Sequence, residues 1–187
     1  MTPLLERIRR EPVWRPQRQM YNQAIHPKLA DWLYDTSSLT KRLVANCDGA
    51  FSVQIESQTW ARPMRNEAQR LGMRSTSRAL IRQVHLTCNG QVWVFARTVI
   101  PSYTLSGKQR RLAKLGKKPL GAVLFADKSM QRSELEIANI RPGQALYDLA
   151  TKYDVNREPE IWGRRTVFYL NRHPLLVSEI FLPVLVS

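Results

Sequence analysis

The sequence predicts an α+β fold in which helices pack on a single antiparallel β-sheet. Two hairpin patterns carry this prediction. Residues 80–88 and 91–101 flank Asn89-Gly90, and residues 164–170 and 175–182 flank a turn at 171–174. Apolar residues at helical spacing occur mainly before and between these hairpins. A helix does not follow each strand, so the pattern disfavours a doubly wound parallel sheet.

A basic arm and two short helices are predicted before the first strand. Residues 1–25 are rich in Arg and Pro and are predicted to form a loosely attached basic arm, with the folded domain at 26–187. A helix is predicted over Pro27–Tyr34, because Pro suits a first helical turn and Leu29, Trp32 and Leu33 share one face. Hydroxyl and carboxylate side chains at 35–40 then cap a short second helix.

Period-2 alternation predicts a strand from Phe51, after the turn dipeptide Asp48-Gly49. The arginine-rich stretch 62–78 has few apolar anchors and is predicted to be a loop. Beyond the first hairpin we predict a helix at 104–115, a strand at 131–140 and a helix at 145–152.

Composition bounds the class of protein. The chain has 187 residues and is 43% hydrophobic, which suffices for the core of one domain. Its 29 Lys and Arg exceed its 15 Asp and Glu, which favours an anionic ligand or a basic solvated surface. The basic residues at 108–118 are spaced by leucines, as on the solvated face of a helix, so nucleic acid is not the expected partner.

No segment is typical of a secretory signal, and the apolar tract 174–186 is interrupted by Glu179 and is too short to span a bilayer. We therefore expect a cytoplasmic protein that does not insert into membranes. It is also expected to be a monomer. Cys47 and Cys88 lack a neighbouring ligand at metal-site spacing, and both are predicted to be reduced. The three histidines are scattered, so no metal site is predicted.

Two charged residues lie on apolar strand faces. Arg82 shares its face with Leu80, Val84 and Leu86, and Glu179 has apolar neighbours on both faces of its strand. An unpaired charge in such a place costs several kcal/mol, so each needs a partner. One interpretation is a structural Arg82–Glu179 ion pair. The other is a binding site in which Arg82 takes a carboxylate and Glu179 does hydrogen-bond or proton work.

Seven tracts of the sequence resemble the chorismate pyruvate-lyase family. They are DWL (31–33) with SSLTKR (37–42), IRQV (81–84), ARTVIP (96–101) with TL (104–105), LGKKPLG (115–121) with LF (124–125), EI (136–137), WGRR (162–165) and PLLVSEIFLP (174–183). The resemblance implies a sheet with helices on one side and a pocket closed by two helix-turn-helix flaps. It also implies a cofactor-independent lyase that converts chorismate to 4-hydroxybenzoate and pyruvate, the first step of ubiquinone biosynthesis, with product inhibition.

The resemblance also selects the site residues. It implies that Arg82 takes the ring carboxylate, that Glu179 lies near the ring hydroxyl, that Leu120 contacts the ligand through its backbone, and that Ser38 and Leu39 belong to the first flap. Either Glu179 transfers a proton or it only orients the hydroxyl.

For the enolpyruvyl carboxylate the candidates are Arg97 and the pair Arg164-Arg165, at least one of which is expected to form structural ion pairs instead. The sequence departs from the family at Gln83, where an acidic residue is usual. The competing function is a non-catalytic module that binds a small aromatic carboxylate as an effector, because ligand-sensing domains of some transcription regulators share this fold.

Overall fold

The computed structural model describes residues 10–20, 22–154 and 157–186. Within them, eight antiparallel strands form one sheet in the order β1-β6-β7-β8-β4-β3-β2, and β5 pairs with β7 beside β6. The strands are β1 (Arg15–Pro16), β2 (Phe51–Ala61), β3 (Ala79–Cys88), β4 (Gln91–Pro101), β5 (Gln131–Arg132), β6 (Glu136–Ile140), β7 (Ile161–Leu170) and β8 (His173–Phe181). The predicted α+β class and both predicted hairpins are confirmed.

The helices lie on both faces of this sheet. The α-helices are α1 (Pro27–Tyr34), α2 (Leu39–Asn46), α3 (Arg65–Arg70), α4 (Leu120–Ala126) and α5 (Ala145–Ala150), and the longest 3-10 helix is Gly107–Lys114. Helices α1, α2 and α4 pack on the face that carries Val84 and Val177, whereas α5 packs on the face of Phe95 and Ile180. The central strands β3, β4, β7 and β8 are buried along most of their length, so both faces of the sheet are covered. The resemblance implied helices on one side only, and the structure differs there.

Three local predictions differ from the structure. The stretch 62–78 contains α3, whose first amides are capped from a distance: Glu11 accepts hydrogen bonds from the backbone N–H groups of Arg65 (2.7 Å) and Asn66 (2.8 Å). Such caps are invisible to local patterning. The predicted strand 131–140 is interrupted between β5 and β6, and the helix predicted at 104–115 is a 3-10 helix over Gly107–Lys114.

The described part of the N-terminal segment is packed against the domain. Residues 10–20 include β1, which pairs with β6, and the core residue Met20, whose side chain is buried. Residues 1–9 of the expected loose arm lie outside the described residues, and the division of the chain at residue 25 stays a prediction.

The two cysteines form a disulfide, so the prediction of two reduced thiols is wrong. Cys47 follows α2 and Cys88 ends β3, and their Cα atoms are 5.8 Å apart, within the range that a disulfide requires. The sequence separation of 41 residues gave no sign of this approach, because it arises from the packing of α2 on the sheet. Among the described helices, none has the length and apolar character needed to cross a membrane.

Candidate active site

A cavity of about 290 Å³ lies between the sheet and two helical segments that cover it. We call residues 27–46, which hold α1 and α2, the first flap, and residues 107–126, which hold the long 3-10 helix and α4, the second flap. The flaps meet where Gly121 packs beside Thr40 and Ser38. Strands β3, β4, β7 and β8 supply the floor, so a ligand there would be enclosed between sheet and helices.

Arg82 is a buried cation at the cavity with weak neutral contacts. Only 2% of the residue's surface is exposed. Its guanidinium donates to Gln58 Oε1 at 3.3 Å and to the carbonyl of Lys118 at 3.5 Å, and no carboxylate of the described residues pairs with it. Burial lowers the pKa of Arg82, because a desolvated guanidinium lacks the hydration that stabilises its charge. The site is therefore suited to an anionic ligand.

Glu179 also faces the cavity, but its partner is Arg164. The register of β7 and β8 sets these two residues opposite each other, and Arg164 Nε lies 2.6 Å from Glu179 Oε2. Arg164 also donates to the carbonyls of Trp32, at 2.9 Å, and Asp35, so it ties the first flap to the floor. The alternative of an Arg82–Glu179 ion pair is not what the structure shows.

Arg82 and Glu179 lie on the same face of the sheet, separated by β4. Arg82 is opposite Thr98 on β4, and Glu179 is opposite Ala96. With strands about 4.8 Å apart and a two-residue offset, their Cα atoms are separated by about 12 Å. The two side chains can thus address opposite ends of one ring.

Of the three other predicted site residues, two line the cavity and one does not. Leu39 and Leu120 line the cavity. Ser38 does not line it; its side chain is buried at the contact between the flaps, beside Gly121. Four of the five predicted residues are thus brought together around one cavity.

Two of the three arginines considered for a second carboxylate are excluded by their position. Arg97 and Arg165 project from the opposite face of the sheet, where they form ion pairs with Glu67 at 2.7 Å and Glu136 at 2.9 Å. Gln83 lies on that face too, and donates to Ser57 Oγ at 3.0 Å. Gln83, where the resemblance led us to expect an acidic residue, therefore does not line the cavity.

Sequence reasoning missed several polar residues of the cavity wall. They are Asp35, Ser37, Thr98, Arg132, Glu134 and Thr166. Strand parity would have found Thr98, which alternates with Arg97 and pairs with Arg82. No local signal marks Arg132, which enters the wall through the pairing of β5 with β7, or Glu134, which lies just after β5.

Comparison with known proteins agrees with this architecture. The model of the chorismate lyase family matches residues 8–187. A probable chorismate pyruvate-lyase from Methylococcus capsulatus is 38% identical over 159 residues, covering 85% of this chain and 97% of that protein. Another from Psychromonas ingrahamii is 39% identical over 157 residues, covering 83% of this chain and 82% of its own length. The chain belongs to the chorismate lyase family.

Solved structures share the fold at low identity. PhnF from Mycobacterium smegmatis aligns with a TM-score of 0.59 and 12% identity over 82% of this chain and 67% of its own. The C-terminal domain of the histidine utilization repressor from Pseudomonas syringae has a TM-score of 0.55 and 9% identity, covering 74% of this chain and 95% of its own. At this identity the likeness concerns the fold alone.

Proposed function

We propose that the protein is a chorismate pyruvate-lyase, which converts chorismate to 4-hydroxybenzoate and pyruvate without a cofactor and supplies the first intermediate of ubiquinone biosynthesis. The observation that carries the proposal is Arg82, a buried cation at an enclosed cavity, with no carboxylate partner among the described residues. Family membership supports the reaction class.

The ring carboxylate is the natural partner of Arg82. A guanidinium binds a carboxylate through two parallel N–H···O bonds, and such bonds are strong where water is excluded. A bound carboxylate would supply the negative charge that Arg82 lacks. Leu39, Leu120 and Leu124 supply apolar surface on which a ring can pack.

The reaction is an elimination in which the ring becomes aromatic. The bond between the ring carbon and the enolpyruvyl oxygen breaks, and the carbon that bears the hydroxyl loses its hydrogen. The released enolpyruvyl group gains a proton and becomes pyruvate. Aromatisation supplies the driving force, and no electron acceptor is required.

Glu179 is proposed to accept a hydrogen bond from the ring hydroxyl. Its Oε2 is held by Arg164, the one donor to this carboxylate among the described residues. The ion pair fixes the side chain at the far side of β4 from Arg82. The variant Glu179→Gln keeps the shape of the side chain but removes the basic oxygen. It should lower turnover more if Glu179 transfers a proton than if Glu179 only orients the hydroxyl.

The competing function is an effector-binding module, supported by the fold it shares with PhnF. Such a module would bind an aromatic carboxylate through Arg82 and return it unchanged. Binding alone therefore does not distinguish the two functions, whereas turnover does.

The test is incubation of purified protein with chorismate, with and without a chelator, followed for both products. We expect equimolar 4-hydroxybenzoate and pyruvate in both conditions. Arg82→Met should lose turnover, and Glu179→Gln should lower kcat more than it weakens 4-hydroxybenzoate binding. Absence of turnover by the wild-type protein, or a requirement for a divalent ion, would overturn the proposal.

A further inference from the structure

The charges in the cavity wall leave two arginines without a carboxylate. The described residues that line the cavity include three arginines and three carboxylates. Only one of these arginines forms an ion pair with one of these carboxylates, and the other two carboxylates pair with arginines outside the wall. The ion pairs are Asp35 with Arg42 at 2.9 Å, Glu134 with Arg18, and Glu179 with Arg164 at 2.6 Å. Arg82 and Arg132 have no carboxylate partner among the described residues, so the cavity can bind two negatively charged groups rather than one.

Arg132 differs from Arg82 in position and exposure. It lies on the short strand β5, opposite Phe168 of β7, and its side chain is exposed where it reaches the cavity wall. Its hydrogen bond is to the carbonyl of Thr36, in the turn of the first flap. That contact is neutral, so the guanidinium keeps its charge and further N–H donors for a ligand.

We propose that Arg132 binds a second carboxylate of the ligand, and that this group is the enolpyruvyl carboxylate of the substrate. The inference rests on the proposed function and replaces the expected roles of Arg97 and Arg165, which project from the other face of the sheet. Arg164 is engaged by Glu179 and by two carbonyls of the first flap. Arg132 is thus the one arginine of the described wall, besides Arg82, whose charge no carboxylate neutralises.

This assignment makes Arg132 a determinant of substrate selectivity. Chorismate carries two carboxylates, whereas 4-hydroxybenzoate carries one, so Arg132 would favour substrate over product. Its bond to Thr36 also places it where a bound carboxylate would join the first flap to β5. After cleavage the second carboxylate leaves with pyruvate, and the aromatic product keeps only its contact with Arg82.

The experiment compares Arg132→Gln with Arg132→Lys. Gln has N–H donors but no charge, whereas Lys keeps the charge. We expect Arg132→Gln to raise KM for chorismate by about tenfold or more, as for loss of one charge-assisted contact, with Arg132→Lys in between. The Kd of 4-hydroxybenzoate, measured by calorimetry, should stay within about twofold in both variants, because the product lacks the second carboxylate.

Arg74→Gln is the matched control, because it removes the same charge from an exposed residue that does not line the cavity. If Arg74→Gln raises KM as much as Arg132→Gln, general attraction explains the effect and the inference fails. If 4-hydroxybenzoate binding weakens in parallel with KM, Arg132 only holds the flap, which also overturns it. Unchanged KM in Arg132→Gln refutes the inference while leaving the lyase proposal intact, whereas an inactive wild-type protein refutes the lyase proposal itself.

Discussion

Replacing Arg82 with Met should separate ligand binding from folding stability. The two hydrogen bonds of Arg82 are long, at 3.3 and 3.5 Å, and their acceptors are neutral. An ordinary hydrogen bond contributes about 0.5–1.5 kcal/mol, so losing both costs at most about 3 kcal/mol. Burying an uncompensated charge costs several kcal/mol, and Arg82→Met removes that cost. We therefore expect the free energy of unfolding without ligand to be unchanged or raised by about 1–3 kcal/mol.

Product binding should change in the opposite direction. Loss of a desolvated guanidinium that meets a carboxylate costs about 2–5 kcal/mol, which is a rise in the Kd of 4-hydroxybenzoate of about 30-fold to several thousand-fold. The assays are urea unfolding of the ligand-free protein and calorimetric titration with 4-hydroxybenzoate.

The same substitution at Arg164 provides the comparison. Arg164→Met leaves the Glu179 carboxylate, which is 21% exposed, without its cation, so it should destabilise the fold by about 3–5 kcal/mol. If Arg82→Met destabilises the protein as much as Arg164→Met does, Arg82 is a structural ion and the reasoning is refuted.

Two further predictions concern stability. Substituting both Cys47 and Cys88 by Ser should lower the free energy of unfolding by about 4 kcal/mol, which is the chain-entropy estimate for a loop of 41 residues. Reductant should lower the unfolding midpoint of the wild-type protein and leave that of the variant unchanged. Burial lowers the pKa of His85 below 6.5, so the unfolded chain binds more protons in that range and stability should fall as pH drops below about 6.5. Urea unfolding of wild-type protein and His85→Asn from pH 7 to 5 checks this, and an equal pH dependence in the two proteins would contradict it.

The local alternation of side chains points to two charged residues that line the cavity. Arg82 and Glu179 were identified from strand parity, because the face on which a strand residue lies depends only on its neighbours in sequence. Their partners could not be found in this way. The register of β7 and β8 places Arg164 opposite Glu179, whereas that of β3 and β4 places Thr98 opposite Arg82. Strand parity alone is compatible with an Arg82–Glu179 ion pair. The strand register shows that this pair does not form, because Glu179 lies opposite Arg164.

Helix α3 and the disulfide also depend on contacts that local sequence patterns do not reveal. The stretch 62–78 has weak helical patterning, and α3 is capped by Glu11, more than fifty residues away. Cys47 and Cys88 approach only because α2 packs against the sheet beside the end of β3. Contacts between distant segments depend on the whole fold, and no short window of sequence contains them.

The sequence by itself determined the α+β class, the two hairpins, the first helix and the face on which Arg82 lies. These follow from turn chemistry and from periods of 2 and 3.6 residues, which act over a few residues. Only the tertiary structure decided that Arg164 neutralises Glu179, that Arg82 has no carboxylate partner among the described residues, and that Arg132 joins the cavity wall. The physical reason is that charge pairing and enclosure depend on distances between side chains from separate elements, which exist only once strand register and helix packing are fixed.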